Sequence, residues 1–253
     1  MTETALSVER LTSIADRTEA PRHAALVRVT HWLTTACFLA LLVSGFEIVV
    51  SHPRFYWGES GNVLTPALFS LPIPASRATV PTGYGYVLKD QNGWSRALHF
   101  EAAWILVATG ALYVLWGAAS GHFRDHLLPR ASERSAQALS RAVVQHLRFA
   151  RPVAAEAHSY NLIQRLAYLL VIFALFPLII WTGLAMSPAF VSALPATVTL
   201  LGGRQTARTL HFLVSLLLVA FVVVHVVMIW LAGFGRRVMA MITGAPASTR
   251  EAE

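Results

Sequence analysis

The chain has 253 residues, of which 55% are hydrophobic and only 13% are charged, and its formal net charge is +7. A mean hydropathy of +0.55 is well above what a soluble domain of this length needs, so the composition excludes an ordinary water-soluble protein and indicates an integral membrane protein. Because the arginines follow the pattern expected of membrane topology, the net positive charge does not indicate nucleic-acid binding.

Four apolar runs are long enough to cross a bilayer. At about 1.5 Å per residue, a helix needs roughly 20 residues to cross a hydrocarbon core of about 30 Å. A spanning β-barrel would instead show alternating segments of about ten residues. The sequence therefore predicts an all-α fold, an integral membrane four-helix bundle. The predicted transmembrane helices are Leu26–Val50, Ala97–Ala119, Leu162–Ser187 and Ala207–Phe234.

The distribution of arginines predicts the orientation. They concentrate in the two terminal tails and in residues 120–160, and positive residues favour the cytoplasmic side. Both termini are therefore expected in the cytoplasm, as is an amphipathic segment over 132–150. The long loop Ser51–Arg96, rich in Pro, Gly and aromatic residues, is expected to form an extracytoplasmic cap. The predicted organisation is a tail over 1–25 with no cleavable signal, a transmembrane domain over 26–234 and a tail over 235–253.

Four of the ten histidines lie within or at the start of the predicted spans, and ionisable groups in lipid are costly and usually mark function. His211 and His225 are fourteen residues apart, which puts them within ~40° on one helix face and ~21 Å apart along its axis. That separation is too large for one metal ion or one haem and fits two sites, one in each leaflet. Antiparallel threading of the spans then pairs His31 with His225 and His99 with His211.

Two imidazoles that face each other in an apolar bundle are suitable axial ligands for a low-spin b-type haem. Zinc or copper is the rival for such a pair, but the sequence offers no carboxylate or cysteine at matching depth as a third protein ligand. We therefore predict two haem b groups, with the iron of one held by His31 and His225 and that of the other by His99 and His211.

Three arginines, Arg28, Arg96 and Arg208, each precede a predicted ligand by three residues, in the strings RVTH, RALH and RTLH. This spacing places each guanidinium on the same helix face, one turn closer to water, where it could pair with a haem propionate. The alternative is that these arginines only anchor the helix ends at the membrane interface.

Motifs in all four spans carry a family resemblance: RVTHW, ALHF, YNLIQRLAY, and GGRQTARTLHF followed by VVVHV. Together they resemble the bacterial cytochrome b561 superfamily, and within it the b-type cytochrome subunits of Ni/Fe-hydrogenases, formate dehydrogenases and thiosulfate reductases. The resemblance covers about Arg22 to Gly244. It implies a di-haem subunit of the bacterial inner membrane that passes electrons between the quinone pool and an extracytoplasmic redox partner. A molybdenum enzyme, a hydrogenase or a cytochrome c would be such a partner.

The resemblance also implies a quinone or quinol site near the cytoplasmic-side haem, formed by polar residues that open the third span. Asn161 and Gln164 match these positions, and an amide can hydrogen-bond a quinone carbonyl without adding charge to the membrane. Their alternative roles are a helix N-cap and an interhelical hydrogen bond. The chain would then be an electron-transfer subunit of an oxidoreductase complex or a quinol:acceptor oxidoreductase in its own right, and homo-oligomerisation stays open.

A proton-relay channel or transporter is the alternative function for intramembrane histidines. A relay requires a continuous file of polar groups along the membrane normal. Between His211 and His225 the only polar side chain is Ser215, so a proton would have almost nothing to move through. The sequence therefore favours electron transfer, and a redox difference spectrum would separate the two functions.

Overall fold

The computed structural model is predominantly helical. It describes residues 23–62, 64–72, 84–129, 133, 135–147 and 162–244. These residues pack as two compact units, one formed by the chain ends, up to residue 33 and from residue 222, and the other by residues 34–221. In chain order the helices are α1 (Ala25–Ser51), α2 (Tyr84–Ala119), α3 (Ala136–Leu147), α4 (Leu162–Leu184), α5 (Pro188–Ala193), α6 (Ala196–Thr199), α7 (Arg204–Leu231) and α8 (Phe234–Thr243).

Four of these helices are long and apolar enough to cross a membrane: α1, residues Gly93–Ala119 of α2, α4 and α7. The all-α fold with four spanning helices is therefore confirmed. Two helices begin earlier than the apolar runs indicated. Helix α2 starts at Tyr84, so its first turns are polar and precede the apolar segment. Helix α7 starts at Arg204, where a loop caps its first turn.

The third spanning helix contains a π-helical turn at Val171–Leu175. Pro177 follows in the first turn of the next α-helical segment. Because proline lacks an N–H and its ring crowds the carbonyl four residues earlier, a regular α-helix cannot pass through this position undisturbed, and a π-turn is a known way to accommodate such a break. Val171 is buried against Val214 and Leu218 of α7, so the turn lies in a packed interface of the 34–221 unit.

The start of the long loop after α1 is an ordered cap, which we define as residues 52–62 and 64–72. It contains a two-stranded antiparallel sheet in which β1 (Arg54–Phe55) pairs with β2 (Phe69–Ser70). The side chain of Phe55 is only 1% exposed. Its ring stacks on Phe69 at 4.7 Å between centroids and contacts Phe212 of α7 at 4.4 Å. The cap is thus packed against the first turns of α7.

The cap also provides hydrogen-bond acceptors for the N-terminal turn of α7. The Gly58 carbonyl accepts hydrogen bonds from the amides of Gln205 (3.0 Å) and Thr206 (3.2 Å). The Glu59 carboxylate accepts one from the Arg204 amide at 3.0 Å. The first amides of a helix have no partner within the helix, and a carboxylate there also interacts favourably with the helix dipole. A distant segment of the chain therefore caps α7.

Gly203 is expected to be required for this capping. Its φ is +117°, and an added Cβ would lie 2.4 Å from the carbonyl carbon and oxygen of Gly58. Gly203→Ala should therefore combine backbone strain with a backbone clash and cost about 2 kcal/mol or more. We expect the unfolding midpoint of the detergent-solubilised protein to fall by several degrees.

Gly110→Ala is the matched control, because nothing lies within 4 Å of a Cβ at that helical position. Its midpoint should equal or slightly exceed that of the unmodified protein. If both variants unfold at the same temperature, the contact between the cap and α7 contributes little to stability.

The unit formed by the chain ends contains a short helix that the sequence prediction treated as part of a tail. Helix α8 lies between two glycines in the left-handed conformation, Gly233 (φ +95°) and Gly244 (φ +81°). Arg28 Nη1 donates a hydrogen bond to the Ile242 carbonyl at 2.9 Å, and Trp32 Nε1 donates to the Met241 carbonyl at 3.2 Å. Two side chains one turn apart on α1 therefore bond to the last carbonyls of α8, where a cation is favourable.

The predicted amphipathic segment between the second and third spans contains a helix, α3, within its described part. Glu133 precedes it and forms an ion pair with Arg165 of α4, with 3.1 Å between Oε2 and Nη1. The Arg165 side chain is only 5% exposed and that of Glu133 is 29% exposed. This buried ion pair holds the start of the segment against the first turn of α4.

Candidate cofactor sites: two histidine pairs

The structure brings the four intramembrane histidines together in two pairs. His31 of α1 faces His225 of α7, with ring centroids 6.4 Å apart and an interplanar angle of 50°. His99 of α2 faces His211 of α7, with centroids 6.2 Å apart and an angle of 57°. These are the pairs predicted from membrane depth. Helix α7 contributes one imidazole to each.

The separation of the rings fits one metal atom between them. A metal–imidazole nitrogen bond of about 2 Å on each side, plus about 1 Å from each nitrogen to its ring centre, separates two centroids by roughly 6 Å. A direct N–H···N hydrogen bond would bring them to about 5 Å. Both observed distances therefore match bis-imidazole ligation of a single iron.

The His99 ring is held from behind by α1. Its Nδ1 lies 3.0 Å from the hydroxyl oxygen of Ser44, which is completely buried. The neighbouring residue is Gly45, where an added Cβ would lie 3.5 Å from the ring. A small residue at this position lets the ring lie close to the backbone of α1.

The His211 ring is held in the same way by α4. Its Nδ1 lies 3.0 Å from the hydroxyl oxygen of Thr182, which is also completely buried. Gly183 follows, and a Cβ there would approach the ring to 3.3 Å. The two rings of this pair thus have equivalent supports from two different helices, each consisting of a hydroxyl residue followed by glycine.

These hydroxyls determine which ring nitrogens carry hydrogen. The Ser44 hydroxyl donates its only hydrogen to the Ala40 carbonyl at 2.7 Å, and the Thr182 hydroxyl donates to the Leu178 carbonyl at 2.8 Å. With that hydrogen engaged, each oxygen accepts from the imidazole, which assigns the ring hydrogen to Nδ1. The Nε2 atoms of both histidines are left as neutral donors of a lone pair, the state required of a metal ligand.

Sequence reasoning missed Ser44 and Thr182. A signal was present, because the strings VSGF in the first span and WTGL in the third repeat a hydroxyl residue followed by glycine at membrane depth. It could not be assigned to a particular histidine, since the contacts join different helices.

The three arginines have different surroundings. Arg28 bonds to α8 as described, and Arg96 is exposed. Arg208 donates to the backbone carbonyl of His52, and its guanidinium lies 5.0 Å from the centre of the Phe55 ring. Burial and the nearby Arg208 charge lower the pKa of the His52 imidazole, so at pH 7 this ring adds no positive charge to the cap.

The predicted quinone residues lie at the start of the third spanning helix. Gln164 is partly buried in the first turn of α4. Asn161 lies outside the residues that the structure describes. Arg165, which the sequence reasoning did not single out, follows Gln164 and is buried in the ion pair with Glu133.

The donor set favours a haem over a metal ion held by protein ligands alone. In the described part of the chain, no group of three or more His, Cys, Asp or Glu side chains could hold a metal ion. Each intramembrane site therefore offers two imidazoles in an apolar environment, and these residues would suit a haem, which brings its remaining iron ligands with it.

Four spanning helices that bring partly buried imidazoles together in facing pairs are the arrangement expected of a membrane b-type cytochrome. Residues 22–244 match the sequence model of the family described as prokaryotic cytochrome b561. The chain belongs to this family, and it is accordingly a multi-pass haem protein of electron transfer in the bacterial inner membrane.

A curated protein is similar in sequence over most of the chain. The chain is 30% identical over 227 residues to a protein of Azospira oryzae that is named as a protein-methionine-sulfoxide reductase subunit, YedZ1. The match covers 88% of this chain and 96% of the relative. The similarity thus extends through all four spanning helices.

Proposed function

We propose that the protein is a di-haem cytochrome b subunit that moves electrons between the quinone pool and an extracytoplasmic redox protein. The observation that carries the proposal is the pair of facing imidazoles at each site, with ring separations of 6.2 and 6.4 Å. Membership of the cytochrome b561 family supports haem as the cofactor.

In this proposal His31 and His225 hold one haem, and His99 and His211 hold the other. A haem b bound between two imidazoles supplies a one-electron iron couple. The chain fixes the direction of each imidazole and surrounds it with apolar side chains. Together these properties favour a low-spin centre that exchanges electrons without binding a substrate.

Arg96 and Arg208 are proposed to pair with propionates of the haem held by His99 and His211, and Arg28 with those of the other. Each arginine is three residues before a ligand, and a guanidinium is suited to a carboxylate. Arg208 is supported best, because the contact with Phe55 and the bond to the His52 carbonyl orient its side chain.

A quinone or quinol is the proposed electron donor or acceptor in the membrane, with Gln164 and Asn161 hydrogen-bonding its carbonyl or hydroxyl oxygens. The partly buried position of Gln164 in the first turn of α4 supports this role, because an amide there can serve a ligand that enters from the lipid. The neighbouring ion pair of Arg165 with Glu133 would keep that turn in a fixed position.

The proposed partner is an extracytoplasmic reductase, of which a molybdenum enzyme is the leading candidate. The relative from Azospira oryzae is named as a reductase subunit, which favours a reductase over a hydrogenase or a cytochrome c. The cap bears exposed Trp57 and Leu64 next to the first turn of α7, and an exposed apolar surface at this position suits a docking partner.

The alternative of a proton relay is not favoured by the contacts along α7. The hydroxyl of Ser215, the single polar side chain between its two histidines, donates to the Phe212 carbonyl at 2.7 Å. Its hydrogen is therefore engaged within the helix.

The test is the reduced-minus-oxidised absorption spectrum of the purified full-length protein together with its haem content. We expect low-spin b-type bands, two haems per chain and two components in a redox titration. A short-chain quinol added to the oxidised protein should reduce the haems. One haem per chain would contradict the di-haem assignment, and reduction by dithionite but not by quinol would contradict the quinone role.

A further inference from the structure

We propose that Ser44 and Thr182 are positioning residues that set the redox potential of the haem held by His99 and His211. The inference rests on the proposed function, because it assigns those two histidines to one haem. It goes further by naming side chains that touch neither the haem iron nor the quinone and yet control the ligands.

The direction of the hydrogen bonds follows from the partners of each hydroxyl. Each hydroxyl hydrogen is committed to a backbone carbonyl four residues earlier, at 2.7 Å for Ser44 and 2.8 Å for Thr182. The oxygen then accepts from the Nδ1–H of the histidine at 3.0 Å. Such an acceptor raises the electron density at Nε2, which strengthens its bond to ferric iron more than to ferrous iron and so lowers the potential.

Burial makes these bonds effective. Both hydroxyl residues are completely buried, so water does not compete for the imidazole N–H. In a low-dielectric environment, a hydrogen bond that leads on to a second one, here from imidazole to hydroxyl to carbonyl, is strengthened by polarisation along the chain. Each histidine is therefore linked through one hydroxyl to the backbone of a neighbouring helix, in addition to its direct backbone contact with Leu41 for His99 or Ile179 for His211.

The recurrence of the arrangement favours a role beyond local helix packing. A serine or threonine in a membrane helix often bonds to the carbonyl four residues earlier with no further purpose. Thr109 does so, with its hydroxyl 2.7 Å from the Ile105 carbonyl. Ser44 and Thr182 differ from it because each also accepts from a histidine, and both histidines belong to the same pair.

The test is a potentiometric titration of the purified full-length cytochrome, followed by its absorption bands, for Ser44→Ala and Thr182→Val. We expect one of the two haem components to shift to a higher potential. At a fixed ambient potential, its ratio of reduced to oxidised iron should rise about threefold, which corresponds to roughly 30 mV for a one-electron couple. The other component should keep its potential, and the double variant should shift further than either single variant.

Thr109→Val is the matched control, since it removes the same kind of buried helix bond ten residues along α2 from His99. It should leave both components unchanged. Thr182→Ser restores the acceptor and should restore the potential, including the case in which Thr182→Val incorporates less haem. Failure of Thr182→Ser to restore it, or an equal shift in Thr109→Val, would overturn the inference.

The outcome separates this inference from the proposed function. Two haem components that keep their potentials in Ser44→Ala and Thr182→Val would leave the di-haem cytochrome standing and refute the role of the hydroxyls. Absence of b-type bands from the unmodified protein would refute the proposed function itself.

Discussion

With one haem held by each histidine pair, as proposed, replacing His211 with alanine is expected to remove one haem and leave the other, and replacing His225 should remove the other and leave the first. Each substitution deletes one of the two imidazoles of a pair and leaves a site with a single protein ligand. The haem content should fall from two to about one per chain. If the proposed path from quinol through both haems to an extracytoplasmic partner holds, electron transfer along it should fall at least about 100-fold.

The pairing also predicts which variants lose the same spectral component. His99→Ala should lose the same spectral component as His211→Ala, and His31→Ala the same component as His225→Ala. His126→Ala is the control, because this residue lies in the π-helical turn after α2 and outside the spanning helices. It should retain both haems. Loss of different components within one pair would refute the assignment of ligands.

Breaking the ion pair between Arg165 and Glu133 is expected to have the largest effect on stability. Glu133→Gln would leave a buried guanidinium without this carboxylate, and removing one partner of a buried pair costs about 3 kcal/mol or more. The unfolding midpoint of the solubilised protein should fall accordingly. The double variant Arg165→Met with Glu133→Gln should recover most of the loss, because no buried charge is then left without a partner.

Asp125→Asn supplies the comparison for this prediction. Asp125 also forms an ion pair with an arginine, Arg124, at 3.3 Å, but its side chain is 55% exposed and that of Arg124 is 81% exposed. Exposed pairs contribute little, so this variant should unfold within about 0.5 kcal/mol of the unmodified protein. If Glu133→Gln unfolds at the same temperature as Asp125→Asn, burial of Arg165 does not stabilise the first turn of α4.

The spanning helices were predictable from sequence because apolar length in a bilayer allows few alternatives. Their ends were less predictable. The start of α7 depends on hydrogen-bond acceptors from Gly58 and Glu59. The local sequence near Arg204 does not indicate a cap formed by residues so distant in the chain. The helix in the C-terminal tail was missed for a related reason, since α8 bonds to Arg28 and Trp32 of the first helix.

The histidine pairing was predictable because depth in the membrane and the direction of threading leave one arrangement. The supports of the histidines were not predictable, since a hydrogen bond from His99 to the Ser44 hydroxyl depends on the rotation of two helices about their axes. The role of Arg165 was not predictable either, because the sequence alone does not show that Glu133 lies next to it. The depth of a residue in the membrane can be predicted from the sequence. The direction in which its side chain points around the helix axis depends on packing.

The cap on α7 has a consequence for biogenesis. Glu59 and Arg204 are 145 residues apart, and the cap precedes three of the four spanning helices in the order of synthesis. Residues 52–72 are therefore synthesised long before the helix that they cap. Each histidine pair is likewise incomplete until its residue on α7 has been synthesised. A nascent chain lacking α7 has neither a docked cap nor a complete pair of ligands. In the proposed di-haem protein, both cofactor sites are therefore complete only after the last span has been inserted.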